Sequence, residues 1–248
     1  DSVSWRSVWM TVLRANTLLT VGVLGGMGPD ATVDFMAKVI AATSASSDQD
    51  HIRMLVDHNP HVPDRSAAII DSIGDPGAVL AEMARRLQDA GADFLVMPCN
   101  TAHAFQRDIE AAIDIPFVSI IDETVAACRG IESIGVLATV GCKASGIYQD
   151  AFAAANMSVV ALDDAETIEF MRRVSEIKSG NPGTGTTDGM RKLADALIAR
   201  GAAGVVAGCT EIPLVLDSSM IDVPLFSSTD ILAEATVAYA SGTRDLNS

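Results

Sequence analysis

The sequence has few aromatic residues, few cations and no long apolar run, and each absence excludes a class of protein. Aromatics make up 4% of the 248 residues while hydrophobic residues make up 49%, so the core must be mainly aliphatic. Acidic side chains outnumber basic ones by 32 to 17, and the formal net charge of −15 argues against a nucleic-acid or anionic-membrane partner. No apolar run reaches the roughly 18–20 residues of a membrane span.

The sequence also lacks the cysteine patterns of metal centres and redox pairs. Its four cysteines, at positions 99, 128, 142 and 209, form no C-x-x-C pair and no zinc-finger spacing, and only four histidines are present. We therefore expect no bound metal and no disulfide. Free thiols in a chain of this size are typical of a cytoplasmic protein.

Apolar runs alternate with helical patterns along the chain, which predicts an α/β fold. Eight short runs are typical of buried strands: LTVGVLGG, IRMLVDH, DFLVMPC, PFVSI, SIGVLAT, MSVVAL, AGVVAGC and VPLF. One helical pattern starts at Asp75 or Pro76 and stops at Gly91, and another runs from Asp188 to Gly201. Strands that alternate with helices form parallel sheets covered on both faces.

The order of these elements repeats. VGVLGG in the first half matches IGVLAT in the second, and each half then contains an amphipathic helix, an apolar run and a cysteine. The distance from Gly22 to Cys99 is 77 positions, and that from Gly135 to Cys209 is 74. We predict two similar, doubly wound lobes related by a pseudo-twofold axis. The predicted boundaries are an N-terminal extension or arm, 1–19, the two lobes, 20–118 and 119–225, and a C-terminal helix and tail, 226–248.

Cys99 and Cys209 follow equivalent strands of the two halves. Ligands of open parallel sheets bind beyond the carboxyl ends of the strands, so the symmetry would bring both thiols into one cleft. A buried cysteine is often only a small hydrophobe, and Cys128, in a helical segment, fits that interpretation. The matched positions of the other two favour a functional role.

Proton transfer is the reaction that best explains two thiols facing each other across a cleft. A Cys–His hydrolase is an alternative, because His103 lies four residues after Cys99, but it would leave Cys209 without a task. A base on one face of a tetrahedral carbon and an acid on the other would invert its configuration, and equivalent groups across a symmetric cleft suit that reaction.

The sequence resembles the aspartate racemase branch of the Asp/Glu racemase superfamily at six segments, in order: GGMGPDATVDFMAKVI, VDHNPHVPDR, MPCNTAH, IGVLATVG, EIKSG and GCTEIP. The resemblance implies a cofactor-independent amino-acid racemase with two duplicated lobes, in which Cys99 and Cys209 match the opposed acid and base. Glutamate racemases open with an Asp-Ser-Gly type motif and carry Thr-His after the second cysteine. Here Thr210 and Glu211 follow it instead.

The same resemblance implies the substrate contacts. Arg65 and Lys178 match positions that hold the carboxylates of a dicarboxylic amino acid, and the guanidinium fork of arginine suits that ligand. The GGMGP turn, with Gly26 and Met27, brings backbone N–H groups close to a carboxylate.

Further residues complete the predicted site. Asn100, Thr101 and Thr210 are expected to bind substrate, and Glu211 to orient a neighbouring loop. Cys142 stands where similar enzymes usually carry threonine, and we expect it to alter carboxylate recognition or to add a third thiol near the pocket.

Several activities stay open at this stage. Related proteins racemise hydantoins, isomerise maleate or decarboxylate malonates, and a non-catalytic protein that binds acidic metabolites is a further alternative. The dinucleotide pattern G-x-G-x-x-G is absent, and no pyridoxal site is recognisable. We expect no cofactor, a small dicarboxylic amino acid as substrate, and a homodimer.

Overall fold

The eight predicted strands are all present in the computed structural model, which describes residues 18–180 and 182–246. The predicted N-terminal extension, apart from its last two residues, lies outside the described residues. The strands are β1 (Val21–Gly25), β2 (Met54–His58), β3 (Phe94–Val96), β4 (Phe117–Val118), β5 (Ser133–Leu137), β6 (Ser158–Ala161), β7 (Gly204–Ala207) and β8 (Leu225–Ser227).

The strands form two parallel four-stranded sheets with the same topology. The first has the order β2-β1-β3-β4 and the second β6-β5-β7-β8, and every pair of neighbours is parallel. We refer to the halves built on these sheets as the first and second lobes. The predicted α/β class and the duplication are therefore confirmed.

Ten α-helices connect and cover the sheets in the described part of the chain. They are α1 (Pro29–Ala42), α2 (Arg65–Asp71), α3 (Pro76–Asp89), α4 (Gln106–Glu110), α5 (Ile120–Ala127), α6 (Val140–Ser145), α7 (Ile147–Ala154), α8 (Asp164–Lys178), α9 (Thr184–Ala199) and α10 (Ser228–Ala240). None of these helices has the length and apolarity that a membrane crossing requires.

The ends of α3 agree with the prediction, whereas the start of α9 does not. Asp75 caps α3 by accepting a hydrogen bond from the Ala78 amide, and Gly91 follows with a φ of +94°. The helix α9 begins at Thr184, four residues before the predicted start at Asp188. The Thr186 hydroxyl accepts from the Gly183 amide and donates to Glu176 of α8, so side-chain bonds stabilise a first turn whose residues are typical of a loop.

The core is aliphatic, as the composition predicts. Strand residues such as Val21, Val23, Val205 and Val206 are fully buried between the helical layers. In both sheets the order of strands reverses next to the first strand of the lobe. Loops that follow β1 and β3, and β5 and β7, therefore open at the crevice where α/β sheets bind ligands.

Gly26, in the turn after β1, is a position where only glycine fits without strain. Its φ is +93°, and an added Cβ would lie 2.4 Å from the carbonyl carbon of Asn59. We predict that Gly26→Ala lowers the free energy of unfolding by about 2 kcal/mol or more, measured by urea denaturation.

Gly91→Ala is the matched control, because Gly91 has nearly the same φ but no atom within 4 Å of the added methyl group. We expect it to cost about 1 kcal/mol, from backbone strain alone. If both variants lose the same free energy of unfolding, the close contact with Asn59 does not add to the cost of a side chain at position 26.

Candidate active site

Cys99 and Cys209 lie on one small cavity between the lobes. Each follows the third strand of its own sheet, β3 or β7, and each is only 6% exposed. The cavity has a volume of about 60 Å³. Predicted site residues line it from both lobes: Met27, Arg65, Cys99, Asn100 and Thr101 from the first, and Lys178, Cys209, Thr210 and Glu211 from the second.

Two predicted residues do not line this cavity. Gly26 lies on the wall of a neighbouring cavity of about 310 Å³, which shares Arg65, Lys178 and Glu211 with the first. Cys142 is buried on a separate cavity of only about 10 Å³, beside Tyr148. Burial, together with the nearby Cys99, raises the pKa of Cys142 to about 12, so its thiol stays protonated at neutral pH. The thiol thus lies near Cys99 without lining the larger cavity, and its effect on carboxylate recognition stays a prediction.

Glu211 contacts the thiol of Cys209. The Cys209 Sγ–H donates to Glu211 Oε2 over 2.9 Å, and the Thr210 hydroxyl donates to the same oxygen over 3.4 Å. Burial, and then the charge of Glu211, raises the pKa of Cys209 well above its ordinary value. The expectation that Glu211 orients a loop did not include this contact, which holds Cys209 in the thiol form.

Lys178, the last residue of α8, neutralises the Glu211 carboxylate. Its Nζ lies 3.4 Å from Glu211 Oε1. Burial opposes the charge of Lys178, but attraction to the Glu211 carboxylate, and to Cys209 and Cys99 when they ionise, outweighs it, so the pKa of Lys178 is raised. The ammonium group is therefore charged at neutral pH and faces both cysteines.

Arg65 reaches the cavity from the first residue of α2. Asp64 caps this helix by accepting from the Ala67 amide, and the Arg65 NH1 donates to the Val62 and Pro63 carbonyls over 3.3 and 3.2 Å. Within the described part of the chain, the Arg65 Nε has no hydrogen-bond partner. The two contacts of NH1 fix the guanidinium and leave its Nε–H available.

The helix α2 packs tightly against α6 of the second lobe. A Cβ added to Gly141 would lie 2.6 Å from the Ser66 hydroxyl oxygen. This close approach brings the Arg65 of the first lobe next to the cysteine loop of the second.

Asn100 is bonded through both ends of its amide. Its Oδ1 accepts from the Tyr148 hydroxyl over 2.6 Å, and its Nδ2 donates to Ser228 Oγ over 3.0 Å. Ser228 Oγ in turn donates to the Ala207 carbonyl, at the end of β7. These bonds connect the Cys99 loop to the strand that precedes Cys209, so the amide of Asn100 joins the lobes and keeps one N–H and one lone pair for other contacts. Asn100 also lines the cavity, and its contact with substrate stays a prediction.

Thr101 is paired with a residue that the sequence reasoning missed. The Thr101 and Thr139 hydroxyls lie 2.7 Å apart, and Thr139 also caps α6 by accepting from the Cys142 amide. Thr139 occupies the position in IGVLATVG that Gly26 occupies in VGVLGGMG, so the internal repeat contained the signal for it. Met171 and Val174 of α8 also line the cavity, at helical spacing from Lys178.

His103 does not contact the thiol of Cys99. Its Nδ1 donates to the Cys99 carbonyl over 2.8 Å, and its Nε2 accepts from the Ile120 amide over 3.1 Å. Burial lowers the pKa of His103 to about 4, against the effect of the Cys99 carbonyl. Both ring nitrogens are occupied by the backbone, so His103 is not the base of a Cys–His pair.

The fold and the cavity define a two-lobed α/β protein with a ligand-sized crevice between its lobes, and comparisons with known proteins identify its family. Residues 24–236 match the family described as Asp/Glu/Hydantoin racemase. The chain therefore belongs to that family.

Individual relatives resemble the chain over most of its length. The chain is 29% identical over 223 residues to the broad specificity amino-acid racemase RacX of Bacillus subtilis (strain 168). The match covers 88% of this chain and 96% of that protein. The structure of the aspartate racemase of Picrophilus torridus is 27% identical to this chain in sequence and superposes with a TM-score of 0.77; the match covers 89% of this chain and 94% of that one. The structure of a putative Asp/Glu racemase of Yersinia pestis is 26% identical and has a TM-score of 0.78; the match covers 90% of this chain and 99% of that one.

Proposed function

We propose that the protein is a cofactor-independent racemase of acidic amino acids, in which Cys99 and Cys209 transfer protons on opposite faces of the α-carbon. The observation that carries the proposal is the single cavity that both buried thiols line from equivalent positions of two sheets. The relatives support amino-acid racemisation, because one is an aspartate racemase and another a broad-specificity amino-acid racemase.

The reaction needs one thiolate and one thiol. The thiolate takes the proton from the α-carbon, and the S–H bond of the opposite thiol breaks to deliver a proton to the other face. The configuration is inverted, no atom of the substrate is lost, and the two sulfurs exchange protonation states. The bond between Cys209 and Glu211 supports Cys209 as the resting acid.

The charge of the cavity supports an acidic substrate. Arg65 and Lys178 are positive and Glu211 is negative, and Asp64, at the edge, is exposed and caps α2. Before a thiol ionises, these three side chains carry one net positive charge, and the thiolate of the base brings the sum to zero. A dicarboxylic amino acid offers one carboxylate to Arg65 and one to Lys178, whereas an amino acid with a single carboxylate leaves one of the two cations without a substrate partner.

Carbanion formation depends on fixed donors, because the α-proton is far less acidic than a thiol. Arg65 and Lys178, which both line the cavity, can stabilise the charge that develops on the α-carboxylate. Preorganised donors of this kind contribute roughly 3–4 kcal/mol each to the transition state.

The function is tested by circular dichroism of L-aspartate and L-glutamate incubated with the protein and no added cofactor. We expect the signal of at least one acid to decay to zero, because a racemase brings both enantiomers to equal concentration. L-Asparagine, which replaces the distal carboxylate by an amide of similar shape, is the control and should be racemised far more slowly. Unchanged signals for both acids would refute the proposal, and faster decay for L-asparagine would refute the acidic specificity.

The assembly and location stay predictions. We propose a cytoplasmic homodimer, and the cavity argument does not depend on either property, since one chain supplies both thiols.

A further inference from the structure

Among the described residues, two side chains that line the cavity each have a buried polar atom without a hydrogen-bond partner, and the two atoms are of opposite kinds. Arg65 Nε is a donor without an acceptor, and Glu211 Oε1 is an acceptor without a donor. The Glu211 side chain is only 5% exposed, so water reaches it poorly. Unpaired polar atoms in a buried position are costly, and each one calls for an explanation.

A ligand with both an anionic and a cationic end would satisfy the two atoms together. The zwitterion of an amino acid has these ends on adjacent groups, the α-carboxylate and the α-ammonium. The free donor of Arg65 can bind the carboxylate. We propose that Glu211 Oε1 accepts a hydrogen bond from the α-ammonium group of the substrate, an assignment that rests on the proposed racemase function.

Lys178 does not already fulfil this role. Its Nζ lies 3.4 Å from Glu211 Oε1 as an ion pair, but the contact lacks hydrogen-bond geometry. The Lys178 side chain is 44% exposed, so it can turn towards a substrate carboxylate when one is present. The Oε1 atom also faces the turn after β1, since a Cβ added to Gly28 would lie 3.2 Å from it. Glu211 lines both neighbouring cavities.

The assignment gives the Glu211 carboxylate two partners, the substrate ammonium group on Oε1 and the Cys209 thiol on Oε2. The other oxygen, Oε2, accepts from the Cys209 thiol over 2.9 Å. An ammonium group on Oε1 would place the attached α-carbon, one bond further away, beside the Cys209 sulfur. Glu211 would then align the reacting carbon with the thiol that gives or takes its proton.

The carboxylates and cations pair in the resulting complex. Arg65, Lys178 and the substrate ammonium contribute three positive charges, and Glu211 and two substrate carboxylates contribute three negative ones. The thiolate of the base adds one further negative charge, which is lost when it takes the α-proton. Each carboxylate thus has a cation to pair with, which is the condition under which buried charges are tolerated.

The test is calorimetric titration of wild-type protein and Glu211→Gln with racemic aspartate and with succinate. The racemic ligand undergoes no net reaction, and succinate has both carboxylates but no ammonium. We expect the Kd of aspartate to rise about tenfold or more in Glu211→Gln, as for the loss of a charge-assisted hydrogen bond. The Kd of succinate should not rise, because the substitution removes a negative charge next to a dianion.

The matched control is Glu123→Gln, which neutralises another buried glutamate, one paired with Arg244 away from the cavity. It should change neither Kd. Equal weakening of aspartate and succinate in Glu211→Gln would mean that Glu211 only maintains the shape of the site, and no change in either would mean that it makes no contact. Both results overturn the assignment.

The titrations, together with the circular dichroism assay, separate this assignment from the proposed function. If aspartate binding depends on Glu211 but the protein racemises no amino acid, the ammonium contact stands and the racemase function is refuted. If the protein racemises aspartate but Glu211→Gln leaves the ratio of the aspartate Kd to the succinate Kd unchanged, the racemase function stands and the ammonium contact is refuted. A wild-type protein that binds neither ligand would refute both.

Discussion

Cys99→Ser and Cys209→Ser are each expected to slow racemisation by about 10²–10⁴-fold, because a serine hydroxyl is a far weaker acid than a thiol and its alkoxide does not form at neutral pH. Racemisation is followed by circular dichroism. Cys128→Ser is the control, because that thiol is also fully buried but does not line the cavity, and it should retain activity.

The two variants should differ from each other in proton exchange. In deuterated water the wild-type protein should place deuterium at the α-carbon of the inverted product, with little in the recovered starting enantiomer at early times. Each serine variant should still exchange the α-proton of one enantiomer, the one that faces the remaining thiolate, and NMR of the α-proton detects this. Full racemisation by Cys209→Ser would contradict the two-thiol mechanism.

Arg65→Ala is expected to lower kcat/KM for aspartate about a hundredfold or more. The guanidinium has a free donor on the cavity, and its loss leaves a substrate carboxylate without a charged partner, which costs about 3 kcal/mol. Arg65→Lys should recover only part of the loss, since an ammonium group cannot form the planar, two-pronged contact.

Arg107→Ala serves as the control for Arg65, because it removes the same charge from an exposed position of the first lobe. Its kcat/KM should equal that of the wild-type protein. If Arg65→Ala is as active as Arg107→Ala towards every dicarboxylic amino acid, Arg65 does not bind substrate.

The sheets could be predicted from the sequence because parallel strands buried on both faces are continuous apolar runs. The positions of Cys99 and Cys209 follow from the same pattern, since the residue after such a strand lies at the crevice whatever the surrounding side chains are. The internal repeat then places both thiols on the same cavity. This part of the site depends only on local sequence and symmetry.

The contacts of individual side chains could not be predicted in this way. Substrate binding by Asn100 stays a prediction, but its link between the lobes was not foreseen, because its partners Tyr148 and Ser228 are 48 and 128 positions away and no local pattern reports them. The contact between Glu211 and Cys209 has a different cause, since the two residues are neighbours in sequence and only the turn after β7 decides that their side chains face each other.

The last helix gives the duplicated chain an asymmetry that affects its modularity. The helix α10 follows the second sheet, yet it packs against α1 and α5, and its Ala240 carbonyl accepts from the Leu19 amide at the start of the first lobe. Its first residue, Ser228, is also the link between Asn100 and Ala207. Neither half is therefore an interchangeable module. A chain divided between the repeats would separate the first lobe from the helix that covers it, and would break the polar link that joins the two cysteine loops.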